Sequence, residues 1–497
     1  MPPTMLPYRN PTAIIFSALR LAAAIGVSAF LPACTVGPDY RKPEAAQPPS
    51  WTSSAGAQEP HEEAAAEQAW WRNFHDPVLN QLITKAAGAN LDVKIAGARI
   101  AEARAMLASA HAALLPTGDM MFNGIRQSNQ IGFPNSVPSN ITNALKSPFN
   151  IFKTGFDASW ELDLFGGRHR DAESAQAELE ASAISSEDVL ITTLAEVART
   201  YVDIRLYQNQ LKITLETIDA DIDAATINRK SFAAGKSAGM DAAKADAQQQ
   251  HDEPQIPYYK NLLVQAEYRM DVLLGEQPGV THGLVDTVSA VPVSDKTLVL
   301  DAPAAVIAQR PDIRYAERKL ASATAQQGVA VAKFFPDISL TGFIGLFNTN
   351  AGNLLSVGSK SWNMGGNVLW PILSYGSLSA NLHAADAKQQ QALSNYQKTI
   401  ISALSDVERA VSAYTQQETY TRSLEKAAAT DQDLYEIALG RYNEGLTSYL
   451  EVLDAQRKLY ASHNQLILAK AQTSQDLVAV YKSLGGSWKL DAGAEIK

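Results

Sequence analysis

The sequence predicts a mainly α chain with a two-fold internal repeat. Each copy combines long, coiled-coil-like helical hairpins with two of four β-strands. Three observations carry this. First, one strand-to-helix corner occurs twice. In Phe156–Arg168 (FDASWELDLFGGR), Phe156, Ala158, Trp160, Leu162 and Leu164 alternate with polar residues, the period of a strand with one apolar face. Phe165-Gly166-Gly167 ends it, and Ala/Glu/Gln-rich helix follows. Trp370-Pro-Ile-Leu-Ser-Tyr375-Gly376 matches this corner 210 residues later. Second, the offset persists. Leu190, Leu194, Val197, Tyr201 and Ile204 match Ile400, Leu404, Val407, Val411 and Tyr414, and Leu274-Gly275 matches Leu484-Gly485. Upstream of the corner the offset is 220, with Asn90 to Val93 matching Arg310 to Ile313 and Pro116 matching Pro336. Third, Arg168–Phe232 and Leu378–Tyr442 are proline-free runs of 65 residues each, a helix of about 97 Å at ~1.5 Å per residue. The 4, 3, 4, 3 spacing from Ile400 to Tyr414 is heptad-like.

In chain order, Arg9 and Arg20 precede the apolar run Leu21–Ala33, so residues 1–33 read as a signal peptide. Leu31-Pro32-Ala33-Cys34 resembles a bacterial lipoprotein lipobox, although Pro32 departs from the usual residue there. The resemblance implies cleavage before Cys34 and its lipidation, and Thr35 by the same resemblance favours the outer membrane. Residues 34–75 form an extended N-terminal segment rich in Pro, Ala, Ser and Glu, with Trp70–Phe74 as its anchor onto the body.

Copy one spans 76–277. Asp76-Pro77 caps a helix to Leu115, ended by Pro116. Strands follow at about 118–125 and 150–164 around an Asn/Ser/Pro-rich loop. Next come a long helix over 168–232 and a returning helix over 238–276, interrupted at Pro254 and Pro257. Residues 278–300 read as an irregular linker. Copy two spans 301–486, with strands at about 337–347 and 362–373, a long helix over 378–442 and a returning helix over 447–484. Residues 487–497 are a tail.

Composition narrows the function. A net charge of −10 leaves no basic footprint for nucleic acid. With the leader set aside, no apolar run approaches the ~20 residues of a membrane-spanning helix. The single cysteine, Cys34, excludes internal disulfides and thiolate zinc clusters. The eight histidines include no i,i+4 pair, and there is no phosphate loop or nucleophile elbow. The expectation is therefore no catalytic residue, no metal and no cofactor. Four strands cannot close a membrane barrel alone. Such barrels need at least about eight strands, and an open edge in lipid leaves backbone groups unsatisfied. Either the chain oligomerises or the strands form no membrane barrel; a soluble sheet packed on a core is the alternative. Trp160, Trp362 and Trp370 at strand ends suit an interfacial girdle.

Four stretches together identify a family: Cys34-Thr-Val-Gly-Pro-Asp-Tyr-Arg-Lys-Pro43, Trp160–Arg168, Gln309-Arg-Pro-Asp312, and Arg441–Arg457 (RYNEGLTSYLEVLDAQR). The mature chain resembles the TolC-like outer-membrane efflux channels, in the NodT-type lipoprotein branch. The resemblance implies a trimeric α/β-barrel channel with a transmembrane β-barrel of twelve strands. It would be the exit duct of a tripartite pump in the Gram-negative outer membrane, lipid-anchored and extending into the periplasm. Its partners would be a periplasmic adaptor, an inner-membrane pump of the RND type, and outer-membrane lipid, with no nucleic acid.

The resemblance also points to sites. The turns at 232–241 and 442–451 would dock the adaptor through Gly235, Lys236 and Ser237 and through Gly445, Leu446 and Thr447; helix capping alone also accounts for the glycines. Leu450, Asp454 and Arg457 match the family's periplasmic gate, and their i,i+4 and i,i+3 spacing puts them on one helical face. A solvated ion pair is the simpler reading of the last two. Copy one has Met240, Lys244 and Ala247 there, so only copy two would supply the constriction. The rival readings are an enzyme, a structural periplasmic coiled-coil lipoprotein, and a duct for protein secretion or metal export.

Overall fold

The computed structural model describes residues 35–44, 48, 50–52, 69–127, 148–235, 239–296, 298, 300 and 302–485. Two compact units divide it. One comprises Met1–Lys42, Ala103–Leu179 and Lys319–Leu393; the other comprises Pro43–Glu102, Glu180–Arg318 and Ser394–Lys497.

In the first unit, strands β1 (Thr117–Gln127), β2 (Phe149–Leu162), β3 (Asp337–Asn348) and β4 (Lys360–Leu369) form one antiparallel sheet in the order β1-β2-β3-β4. The two hairpins share one register. Phe122 faces Thr154, and their equivalents Gly342 and Met364 face each other. The loops joining the hairpins differ in length, so cross-strand packing and not the turn sets the pairing. One face carries Met120, Phe122, Phe156, Trp160, Ile344, Trp362, Met364 and Val368, all exposed. The opposite face holds Asp119, Asn123, Lys153, Asp157, Ser159 and Asn363. Phe343, also on that face, is buried under Lys153, whose Nζ sits 3.9 Å from the ring centroid. β2 and β3 approach closely beside it. A Cβ on Gly345 would meet the Thr154 carbonyl oxygen and lie 2.7 Å from Gly155 Cα.

Strand β4, expected over 362–373, instead ends at Leu369, because Pro371 has no N–H to give a ladder. Ile372–Ser374 forms a 3-10 turn. β2, expected to reach 164, stops at Leu162. Trp160 and Trp370 donate from Nε1 to the carbonyls of Leu114 and Phe334, at 3.0 and 3.1 Å. The N-terminal segment is strapped to this corner. Val36 N donates to Phe165 O at 3.1 Å. The buried Arg170 reaches Val36 O, Gly37 O and Asp39 Oδ1 at 3.3, 3.4 and 2.6 Å. Cys34 itself lies outside the described residues.

The helices are α1 (Pro77–Ala89), α2 (Leu91–Ala112), α3 (Gly167–Ala233), α4 (Gly239–Asp252), α5 (Gln255–Leu273), α6 (Val280–Val285), α7 (Pro303–Gln309), α8 (Pro311–Ala332), α9 (Tyr375–Asn443) and α10 (Tyr449–Ser483). At 67 and 69 residues, α3 and α9 each have a contour length of about 100 Å. Two sequence expectations are corrected. The helix expected over 76–115 is two helices broken at Asn90, whose ψ is 135°. Its Oδ1 caps α2 through Asp92 N and Val93 N, and its Nδ2 donates to Leu273 O at 2.8 Å. Arg310 does the equivalent work in copy two, bonding Ser483 O from Nη1 at 2.6 Å. The first returning helix is split into α4 and α5 around Pro254, as the sequence predicts. The linker contains α6, whose start is held by Asp271 accepting from Gly279 N and Thr281 N, both at 2.7 Å.

The second unit holds the main core. Leu194, Val197, Tyr201 and Ile204 of α3 meet Val407 and Val411 of α9 and Leu477 and Val478 of α10. Trp70, Trp71 and Phe74, on a 3-10 turn, bury into it, and Trp70 stacks on Tyr481 at 5.2 Å. A buried polar chain crosses this core. Asp76 Oδ1 caps α1, while its Oδ2 accepts from Tyr201 Oη at 2.6 Å. Arg205 Nε donates to Tyr201 at 2.9 Å, and its Nη1 reaches Thr287 O at 2.6 Å. Burial pushes the Tyr201 phenol well above its ordinary range.

Candidate functional site at the hairpin turns

Both long helices end in a left-handed glycine. Gly235 has φ +68° and Gly445 φ +76°. At the second turn Gly445 N donates to Tyr442 O and Leu446 N to Arg441 O, at 2.9 and 2.8 Å. These are the two bonds of a Schellman cap. Gly235 N likewise bonds Phe232 O at 2.9 Å. A side chain added at either glycine would meet nothing within 4 Å, so the positive φ is what these positions require. Phe232 and Met240 stand exposed beside the first turn, Tyr442 and Leu446 beside the second. Lys236 and Ser237 lie outside the described residues. Thr447 Oγ1 is buried without a hydrogen-bond partner.

After the second turn, Leu450 packs half-buried against Ala220, Ala224 and Leu453. Asp454 is 79% exposed, and Arg457 Nη1 approaches it at 3.6 Å. Arg457 has a closer partner that the spacing argument missed: its Nε lies 3.1 Å from Oδ1 of Asp221 on α3. Asp221 is only 2% exposed, and its Oδ2 has no hydrogen-bond donor. Asp252 of α4 faces it, so two carboxyl groups meet in a buried place. Burial above all, with Asp252 adding to it and Arg457 opposing, pushes the Asp221 carboxyl up to about 6. Burial acts upward on Asp252 too, but hydrogen bonds from Gln248 and His251 outweigh it and hold that group low. A signal for Asp221 was present in the sequence. Its equivalent 210 residues later is Asp431, which pairs with Lys458 at 3.2 Å. Each copy thus sets an acid on the long helix against a base on α10.

Among the described residues, no group of three or more His, Cys, Asp or Glu side chains could hold a metal ion. No helix among them is long and apolar enough to cross a membrane.

The family model described as outer membrane efflux protein matches the chain twice, over residues 82–276 and 302–486. A probable efflux pump outer membrane protein of Pseudomonas putida, TtgC, is 30% identical over 95% of this chain and 96% of its own length. Nodulation protein T of Rhizobium leguminosarum bv. trifolii is 31% identical over 89% of this chain and 92% of its own. Among solved structures, the outer-membrane channel OprN superposes with a TM-score of 0.81 at 30% identity, covering 92% of this chain and all of that one. The CmeC outer membrane channel of Campylobacter jejuni also gives 0.81, at 25% identity, with 91% and 95% covered.

Proposed function

The chain belongs to the outer membrane efflux protein family, and from that premise we propose that it is the outer-membrane exit duct of a tripartite efflux pump. It conducts small molecules passively from a periplasmic adaptor and an inner-membrane pump, of the RND type, to the exterior. The single observation that carries the reading is the sheet. Four strands present a continuous exposed apolar face, a mainly polar opposite face and two open edges. Lipid satisfies the first and water the second, and further copies of the chain satisfy the edges. Three copies would supply twelve strands. The repeat that makes each copy contribute two equivalent hairpins is supported by the double match of the family model.

In this reading Cys34 carries the lipid anchor. The strap from Val36 to Asp39 supports this by tying the neighbouring residues to the end of the sheet. The turns at Gly235, Lys236 and Ser237 and at Gly445, Leu446 and Thr447 dock the adaptor. The exposed Phe232, Met240 and Leu446 offer it an apolar surface. Leu450, Asp454 and Arg457 form the periplasmic gate, with Asp221 as the anchor that fixes Arg457. A ring of exposed Asp454 carboxylates at the mouth favours cations. The test is solute flux from liposomes containing the purified protein. Release of small hydrophilic solutes, with larger ones retained, is expected. Intact retention of all solutes by correctly inserted protein would overturn the assignment.

A further inference from the structure

The strands sort their charges by face and by end. Side chains at even positions share the exposed apolar face with Phe122, Phe156, Ile344 and Trp362. Every acidic residue of the strands, Asp119, Asp157, Glu161 and Asp337, lies on the opposite face. Two cations, Arg126 of β1 and Lys360 of β4, lie on the apolar face itself, and both are exposed. Neither makes an ion pair among the described residues. A cation on the lipid face of a barrel is costly at mid-membrane and tolerated only near an interface.

The repeat sets both cations at one level. Arg126 faces Asn150, and the equivalent pair in copy two is Leu346 with Lys360. That level is the loop end of the sheet. β4 runs 10 residues from Lys360 to Leu369, roughly 33 Å along the strand. At the ~40° tilt of membrane barrels this is about 25 Å in height, the height of their apolar band. With Trp370 at the helix-side border of the band, Lys360 sits at the other border. The sequence around the loop end has the same sign. No Asp or Glu occurs between Asp119 and Asp157, or between Asp337 and Asp386, although the chain carries a net charge of −10.

We infer that Arg126 and Lys360 bind the phosphates of a phosphorylated glycolipid in the outer leaflet, at the loop end of the sheet. The inference rests on the duct reading, which turns the apolar face to lipid and the helices to the periplasm. Phosphate is the anion that a membrane surface presents at this depth. A guanidinium takes it in a bidentate bond, and an ammonium takes it as a point charge. No carboxylate of the strands shares this face to repel it. The neighbours favour a sugar-bearing headgroup over a plain phospholipid. Asn150, directly opposite Arg126, offers an amide to hydroxyl groups. Trp362 is 77% exposed and lies two residues from Lys360 on the same face, a ring at headgroup level. The third cation of the strands, Lys153, takes no part. It is on the opposite face, over the Phe343 ring.

The test is lipid retention by the full-length protein, purified in a neutral detergent, stripped of lipid and read by native mass spectrometry. The probe is lipid A, with phosphatidylglycerol and phosphatidylcholine as comparison lipids. Wild type should retain lipid A above both, and raised salt should weaken the retention. Arg126→Gln and Lys360→Gln should each lower it roughly tenfold, and the double variant further. Lys153→Gln should not lower it. Arg126→Lys and Lys360→Arg should keep most of it, which separates loss of charge from loss of fold. Excess inorganic phosphate should not displace the lipid. Equal retention of phosphatidylglycerol, displacement by inorganic phosphate, or a double Gln variant that retains lipid A like wild type overturns the inference and leaves the duct reading standing. Wild-type protein that inserts into phosphatidylcholine bilayers without conducting removes the duct reading, and with it the assignment to the outer leaflet.

Discussion

Removing Arg457 should do far more damage than neutralising the acid it binds. Arg457→Ala leaves Asp221, 2% exposed, with no counter-charge. Breaking a buried pair from one side typically costs about 3–5 kcal/mol. The Arg457 side chain is 31% exposed, so we take roughly the lower bound, ~3 kcal/mol, or about a hundredfold in the local equilibrium. Asp221→Asn removes a charge that burial disfavours. The carboxyl is pushed up to about 6 even with Arg457 beside it, so the amide should not lower stability at neutral pH and should raise it by up to roughly 3 kcal/mol. The double variant should recover most of what Arg457→Ala loses. Thermal unfolding gives the stability order, and single-channel conductance in planar bilayers reports the turn region directly. Conductance should rise strongly for Arg457→Ala and less for the double variant. An Asp221→Asn variant as damaged as Arg457→Ala, or a double variant no better than it, would refute the reasoning.

Four further outcomes follow from the same structure. Asp454→Ala should raise conductance less than Arg457→Ala and reduce cation preference, because an exposed pair contributes little to holding helices together; conductance and reversal potentials check both. The Asp221 carboxyl is raised in the folded chain, so its proton contributes stability that is fully present below about pH 4 and lost as pH rises through about 6. Wild-type melting temperature should therefore fall relative to Asp221→Asn across that window and run parallel above it. Gly345→Val should force β2 and β3 apart at the Thr154 carbonyl, and loss of heat-resistant β-structure by circular dichroism checks it. Arg170→Ala should release residues 35–44, seen as faster proteolysis there. Arg170→Lys should rescue poorly, since one ammonium cannot span Val36 O, Gly37 O and Asp39 together.

The repeat and the strand-to-helix corner were legible because they are periodic. Alternation from Phe156 to Leu162 and the offset from Leu190 to Ile204 are linear patterns, and the sheet and the α3–α9 core follow from them. The break at Asn90 was not legible. Its equivalent is Arg310, a different side chain that meets the same demand by bonding the carbonyl at the end of a returning helix. Function there is kept by geometry and not by residue type. Asp221 was missed for a different reason. The i,i+3 rule sees partners on one helix, whereas the nearer partner of Arg457 comes from another, 236 residues earlier in the chain. Pro371 was visible, yet apolar alternation carried the expected strand past it. The missing donor decides the end of β4.

The most direct test of the central claim is electron microscopy of the detergent-extracted full-length protein. The account predicts particles with threefold rotational symmetry, in which the β-sheets of the copies close into one barrel around a continuous central lumen. Monomeric particles, or assemblies whose sheets leave edges open and enclose no lumen, would contradict it.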